Sequence, residues 1–178
     1  MSSLRNSYGR ISGSERIVIR TATTDGIAGG DEEANVNGSI TPVHFYIQPD
    51  ANETFEMTHL SIQVSDSGNP AIDDYGSVSG PLLNGIDLFI ELKGVKIPLG
   101  IPYKSNRDLM SLGATHEQLT FSGSTKVTIY HFDFLKYSSG GLIIHGKHAD
   151  KLGLTVNDNL STLISHTVSF KGSAFIDI

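Results

Sequence analysis

The sequence contains neither cysteine nor tryptophan among its 178 residues. Without cysteine the protein has no disulfides, no thiolate metal sites and no cysteine nucleophile. Without tryptophan it lacks the largest of the aromatic side chains that stack on sugar rings. No apolar run approaches the roughly 18 residues that a membrane-spanning helix needs, and the first residues lack the apolar core of a signal peptide. We therefore expect a protein that is neither membrane-anchored nor exported by the classical route.

Positive charge is missing from one long stretch of the chain. Residues 25–92 contain twelve acidic side chains and no Lys or Arg, whereas residues 1–24 and 93–178 each carry a net charge of +3. Such segments could form complementary surfaces between subunits, or they could simply be solvated. The overall net charge of −6 argues against general nucleic-acid binding.

Short runs that alternate polar and apolar side chains, or that are rich in β-branched residues, indicate about ten strands. These runs are residues 16–22, 43–47, 57–64, 86–92, 95–99, 126–134, 142–144, 152–156, 164–170 and 174–176. Only 109–112 favours a helical turn, with Asn106 or Asp108 as its cap and Gly113 as its stop. The pattern predicts an all-β fold, an antiparallel β-sandwich, and the length favours a jelly roll.

The first 40 residues are predicted to form an extended N-terminal arm, and residues 41–178 the β-sandwich domain. The arm contains one strand-like run, between Ser- and Gly-rich stretches and the acidic loop 29–33. It has too few apolar side chains to form a core of its own. We expect it to become ordered by lying across a neighbouring molecule, or to stay mobile.

Established catalytic motifs are absent from the sequence: there is no G-x-S-x-G, no P-loop, no G-x-G-x-x-G and no H-E-x-x-H. One grouping could still imitate a catalytic triad. His131 and Asp133 share a face of a predicted strand, and His59 or His166 could join them beside one of the many serines. Random placement of seven histidines explains this grouping equally well, so we predict no catalytic residue.

Two groupings could bind a metal. His145 and His148 are three residues apart, which suits a metal only if a third ligand lies nearby. The oxygen-rich stretch 66–69 with Asp73 and Asp74 could hold Ca²⁺, although it does not match an EF-hand loop. Surface histidines and a solvated acidic loop are the simpler interpretations, so we predict no metal site and no cofactor.

Four tyrosines could form a platform on which sugars stack: Tyr75, Tyr103, Tyr130 and Tyr137. Burial of these side chains in the core, or a position at its rim, is the simpler expectation. Scaffold roles are also predicted for two turns. Asn84 and Gly85 suit a left-handed turn before a strand. Asp158 is placed to accept backbone N–H groups in the turn before Leu160.

Three segments, taken in order, resemble small virion proteins of tailed bacteriophages. They are GPLLNGIDLFI (80–90), IPYKSNRDLM (101–110) and LTVNDNLSTLISHTVSFKG (154–172). The resemblance spans roughly residues 55–175, so residues 1–40 lie outside it. It implies no catalytic residues, because the shared features are turns and strands.

The resemblance implies a non-enzymatic structural component of a tailed-phage virion, of the head decoration (cement) or neck and collar type. Its expected partners are copies of itself and other virion proteins, namely the major capsid protein or the head–tail connector and neck proteins. No specific nucleic acid and no membrane is expected, and assembly would take place in the host cytoplasm. The alternative is a carbohydrate- or receptor-binding β-sandwich of a tail apparatus. An enzyme such as a cupin would need a His-rich strand motif with a downstream carboxylate.

Overall fold

The computed structural model describes residues 15–27, 32–66, 71–120, 126–136 and 140–176. Within these ranges the chain is built from strands, one short α-helix and single turns of 3₁₀ helix. The elements in chain order are β1 (Glu15–Thr21), β2 (Val43–Ile47), β3 (Glu53–Asp66), β4 (Ile86–Leu92), β5 (Val95–Pro98), α1 (Asn106–Ser111), β6 (Thr115–Thr120), β7 (Lys126–Asp133), β8 (Leu142–His145), β9 (Lys151–Val156) and β10 (His166–Ile176).

The strands form two antiparallel sheets. The larger sheet has the order β1-β10-β3-β7-β6, and β8 also pairs with β3. Because β3 has 14 residues, its first part pairs with β8 and its second part with β7 along the same side. The smaller sheet has the order β2-β9-β4-β5. The predicted all-β antiparallel sandwich is confirmed.

The core lies between the two sheets and follows the alternation of the strands. Leu60 and Ile62 of β3 and Leu152 and Leu154 of β9 are buried, while the residues between them point to the outer faces. At position 153 the outward residue is a glycine, because a Cβ there would overlap the Phe45 carbonyl of the neighbouring strand. Burial thus alternates along residues 59–64 of β3, whereas β9 is buried at every position from 152 to 156.

The largest differences between the observed elements and the sequence-based expectations are in three places. The strand predicted at 57–64 extends over all of β3, and β6 was not predicted. The runs 164–170 and 174–176 belong to one strand, β10, which passes through a bulge between Lys171 and Gly172. The extra residue at this register shift is Thr58 of β3, since Lys171 lies opposite His59 and Gly172 opposite Met57. The close approach of the two strands requires a glycine, because a Cβ at position 172 would clash with the Glu56 carbonyl.

The predicted helical turn is present as α1, with a different cap. Ser105, in extended conformation, accepts a hydrogen bond from the Asp108 N–H through its side chain. Asn106 and Asp108, the predicted caps, lie inside the helix. Gly113 follows the helix with φ of 83°, as expected for the residue that ends it.

The described part of the predicted arm packs on the sandwich of its own chain. β1 pairs with β10 over its whole length, and Ala22 and Ala34 are buried in the core. Residues 1–14 and 28–31 lie outside the described residues. The segment has no core of its own, but its contacts with distant residues of the same chain hold it on the sandwich.

Asp158 joins two turns that are distant in sequence. Its carboxylate accepts the backbone N–H groups of Leu83 at 3.1 Å, Asn84 at 2.9 Å and Gly85 at 2.5 Å. The sequence predicted that Asp158 accepts N–H groups of its own turn, whereas the N–H donors in the structure belong to the turn before β4. Gly85 has φ of 89°, so the left-handed geometry predicted for this turn falls on the glycine.

We expect Asp158→Asn to lower the free energy of unfolding by about 2 kcal/mol, because an amide group would face buried N–H donors in place of a carboxylate oxygen. Urea denaturation measures this change. Asp73→Asn is the matched control, since its carboxylate is exposed and should matter by less than about 0.5 kcal/mol. Equal losses for both variants would contradict the assigned role.

Candidate functional site

Among the described strands, β1 is the outermost at one end of the larger sheet, and its side that faces away from β10 is called here the β1 edge (Glu15–Thr21). Ala22, just after the strand, donates its N–H to the Val168 carbonyl at 2.9 Å, towards β10. Thr23 points the other way and exchanges backbone hydrogen bonds of 3.1 and 2.8 Å with Tyr46. Because successive residues of a strand alternate in direction, odd-numbered residues of β1 turn their backbone groups away from β10.

Apolar side chains accompany these backbone groups. Ile17 is 76% exposed and Ile19 is 68% exposed, and both lie on the outer face of the sheet. Natural proteins protect edges with charge, proline or bulges, because an apolar open edge adds strands from other chains. On its outer face the β1 edge exposes Ile17 and Ile19, whereas its exposed charged residue, Arg16, lies on the other face and contacts Glu53. The two isoleucines make this edge suitable for strand addition.

A buried ion pair anchors the other face of β1. The Arg20 guanidinium lies 2.6 and 2.7 Å from the two carboxylate oxygens of Glu53, and both side chains are buried. The same guanidinium lies 5.2 Å from the centre of the Phe55 ring. Arg16 adds a second, more exposed contact to Glu53 at 3.3 Å. The pair holds the strand against the end of the sandwich while its isoleucines face outward.

The hairpin of β4 and β5 forms the edge of the smaller sheet. Lys93 and Gly94 both have positive φ, 52° and 79°, which is the geometry of a type I′ turn and agrees with the predicted hairpin. Val95 and Ile97 of β5 are exposed. Unlike the β1 edge, this edge includes Pro98, which is one of the devices that discourage strand addition.

The histidines proposed for a triad are separated by the structure. On the outer face of the larger sheet, Ser61 Oγ lies 3.0 Å from His131 Nδ1, and His59 Nε2 lies 3.8 Å from Asp133 Oδ1. The serine contact and the carboxylate contact thus involve different histidines. His166 lies in the interior, away from this face. These residues do not form the relay that a triad requires.

His166 is fully buried and is held from three sides. Its Nδ1 donates to the Ala34 carbonyl at 3.0 Å, so its Nε2 is free to accept from the Tyr75 hydroxyl at 2.7 Å. Its backbone N–H donates to the Glu33 carboxylate. Burial lowers the pKa of His166 to about 4, because the charged ring would lose its solvation. The neutral ring therefore ties Ala34 to the core, and the His166 backbone holds Glu33.

The His145–His148 pair gains no third ligand in the described ranges. The two rings lie 5.9 Å apart, and His145 Nδ1 contacts the Thr54 hydroxyl at 3.0 Å. Asp150, the nearest carboxylate in sequence, accepts the backbone N–H groups of Lys93 and His145. The described residues contain no group of three or more His, Asp or Glu side chains arranged for a metal.

The acidic groups proposed for Ca²⁺ point to separate protein partners. Asp66 accepts from Thr128 and, at 3.0 Å, from Gln118. Asp73 pairs with Arg107 at 2.9 Å on the surface. Asp74 accepts backbone N–H groups within its own loop. Residues 67–70 lie outside the described residues, and the three described carboxylates stabilise turns and strand ends.

The tyrosine platform is not formed by the described tyrosines. Tyr75, Tyr103 and Tyr130 are buried in the core, and Tyr137 lies outside the described residues. The Tyr130 hydroxyl donates to Asn106 Oδ1 at 2.9 Å. Burial raises the pKa of Tyr130 to about 12. These rings fill the core, so sugar stacking on them is ruled out.

Comparisons with known protein families, with curated proteins and with solved structures found no match. In the part of the chain that the structure describes, no helix is long and apolar enough to cross a membrane. The functional assignment therefore rests on the surfaces described above.

Sequence reasoning missed the β1 edge and its anchor. The run 16–22 was correctly interpreted as a strand, but the partner of Arg20 lies 33 residues away, where no local pattern reveals it. The available signal was Glu53, four residues before the strand predicted at 57–64, in a stretch that contains no positive charge. A buried acid there requires a cation from elsewhere in the chain.

We expect Arg20→Met to lower the free energy of unfolding by about 3 kcal/mol or more, because Glu53 would remain buried with only the 3.3 Å contact to the exposed Arg16 as its ion pair. The double variant Arg20→Met, Glu53→Leu should recover much of this loss. Urea denaturation of the four species of this cycle measures the coupling. Arg107→Met, which breaks an exposed pair with Asp73, is the control and should cost less than about 1 kcal/mol.

Acid should weaken the attachment of residues 33–34. The unfolded chain binds a proton at His166 near pH 6.5, whereas the folded chain does so near pH 4. The contribution of the neutral ring is therefore complete above pH 6.5 and declines as pH falls towards 4, by at most about 1.4 kcal/mol per pH unit. NMR of the His166 ring and urea denaturation across this range test it. A ring that titrates near pH 6.5 in the folded protein would refute it.

Proposed function

We propose that the protein is a non-enzymatic structural component of a tailed-phage virion, which binds itself and other virion proteins to build or stabilise the particle. Head decoration and the neck or collar are the proposed locations. The observation that carries the proposal is the β1 edge, because an exposed apolar strand at a sheet edge is a surface for adding further strands. Adhesion through such an edge needs no catalytic group.

The strand order supports the jelly-roll form of the sandwich. From β1 to β4 consecutive strands alternate between the two sheets, and β8, β9 and β10 alternate again. β1 and β10, the first and last described strands, are neighbours, and so are β2 and β9. Jelly rolls, which are double Greek-key sandwiches, occur in viral capsid proteins and in lectins.

The three segments with resemblance to phage virion proteins meet at one end of the sandwich. Asp158 of the third segment accepts N–H groups from residues 83–85 of the first. Ile86 of the first segment exchanges two backbone hydrogen bonds, of 2.9 and 3.0 Å, with Tyr103 of the second. Their similarity therefore belongs to one connected structural unit, which supports treating the three segments as a single resemblance.

Carbohydrate binding is the alternative derived from the sequence, and the tyrosine platform was its proposed surface for stacking sugars. The described tyrosines of that platform are buried. The apolar β1 edge is suited instead to binding polypeptide backbone through hydrogen bonds. We therefore retain the structural role as the proposed function.

Quantitative mass spectrometry of density-purified particles of the encoding phage tests this role. Hundreds of copies per particle, counted against the major capsid protein, would place the protein on the head. About five to a few dozen copies would place it in the neck or collar, as ring symmetry requires. A phage replication enzyme measured in the same preparation controls for contamination. Copy numbers no higher than this control would overturn the virion role.

A further inference from the structure

The sequence of the β1 edge is symmetric about its centre. Residues 16–20 are Arg-Ile-Val-Ile-Arg, which is the same in both directions around Val18. A two-fold axis requires a patch that is complementary to itself. An antiparallel pair of identical strands satisfies this requirement when the sequence is symmetric about the axis.

We propose that two copies of the protein pair their β1 strands antiparallel, with the two-fold axis at Val18, so that the larger sheets of both copies form one continuous sheet. The partner that the β1 edge fits is thus a second copy of the same chain. This inference concerns the isolated protein, and it holds whether or not the protein belongs to a virion.

The backbone has the correct parity for this register. Pairing about Val18 sets Ile17 opposite the partner's Ile19, and Ile19 opposite the partner's Ile17. Both are odd-numbered residues, whose N–H and C=O groups turn away from β10. These two pairs would form about four main-chain hydrogen bonds, and the Val18 pair between them would be of the non-hydrogen-bonded type.

The exposed isoleucines would cover one another in this arrangement. Ile17 and Ile19 lie on the outer face, where they are 76% and 68% exposed in the single chain. Across the joint each would contact an isoleucine of the partner, and such β-branched cross-strand pairs stabilise sheets. Burial of these four isoleucines, two from each copy, would contribute favourable hydrophobic free energy to dimerisation.

The register also brings Arg16 opposite the partner's Arg20, on the inner face of the sheet. Like charges opposite each other normally destabilise a strand pair. Here Arg20 is already paired with Glu53 at 2.6 Å, and Arg16 lies 3.3 Å from the same carboxylate. The anchor of β1 therefore reduces the repulsion that would otherwise oppose this dimer.

Single cysteines test the register directly, because the natural sequence contains none. Ile17→Cys and Ile19→Cys are purified separately and then oxidised, alone and as an equimolar mixture. The mixture should form a disulfide-linked dimer, since positions 17 and 19 are opposite, at about 5.5 Å between Cα atoms. Each variant alone should crosslink far less, because identical positions lie about 7–8 Å apart. Equal crosslinking alone and mixed would overturn the register.

Sedimentation of the wild-type protein tests the dimer itself. We expect a dimer whose dissociation constant rises at least about a hundredfold in the double variant Ile17→Lys, Ile19→Lys. The matched control is Val95→Lys, Ile97→Lys at the other sheet edge, which should leave dimerisation unchanged. Circular dichroism verifies that both variants fold. A wild-type monomer at about 0.1 mM, or equal effects of both double variants, would overturn the proposal.

These results are separable from the virion role. A dimer of the isolated protein that is absent from purified particles would retain the β1 pairing and refute the virion role. A particle component that sediments as a monomer, or as an oligomer that Ile17→Lys and Ile19→Lys do not affect, would refute the β1 pairing alone.

Discussion

The buried pair of Arg20 and Glu53 is the constraint on which the exposed part of the structure depends. β1 directs two isoleucines to solvent, and Val18 is its apolar side chain that packs against the core. The strand is also held on the sandwich by its ladder with β10 and by this ion pair. An isolated buried carboxylate would be costly, and Arg20 supplies the partner that Glu53 needs. The contact between Arg20 and Glu53 thus links the stability of the core to the exposure of the β1 isoleucines.

Local sequence patterns predicted what depends on local geometry. Alternation indicated most of the strands, and Lys93-Gly94 indicated the hairpin turn, because both features are determined by a few adjacent residues. The connections between segments were not predictable in this way. Asp158 accepts the N–H group of Leu83, which is 75 positions away, and Arg20 pairs with the buried Glu53, which is 33 positions away. β6 was missed because a chain of Thr, His, Glu and Gln gives a weak alternation signal.

The candidate sites from the sequence mostly proved to be internal scaffolding. His166, Tyr75 and Tyr130 are polar residues buried in the core, and each has a hydrogen-bond partner inside the protein. Buried polar groups need such partners, and a sandwich rich in polar residues supplies them from its own histidines, tyrosines and amides. Residue type alone did not separate these roles from chemical ones. Burial and partner identity, which only the fold provides, made the distinction.

The position of β10 has a consequence for how the chain folds during its synthesis. β10 lies between β1 and β3, so β1 has its ladder partner only after residues 166–176 have left the ribosome. About 150 residues, or several seconds of translation, separate the two strands. Until then β1 lacks the β10 ladder, and its isoleucines are available to other nascent chains on the same messenger. Closure of this sheet is a late event of high contact order, and its speed decides how long that exposure lasts.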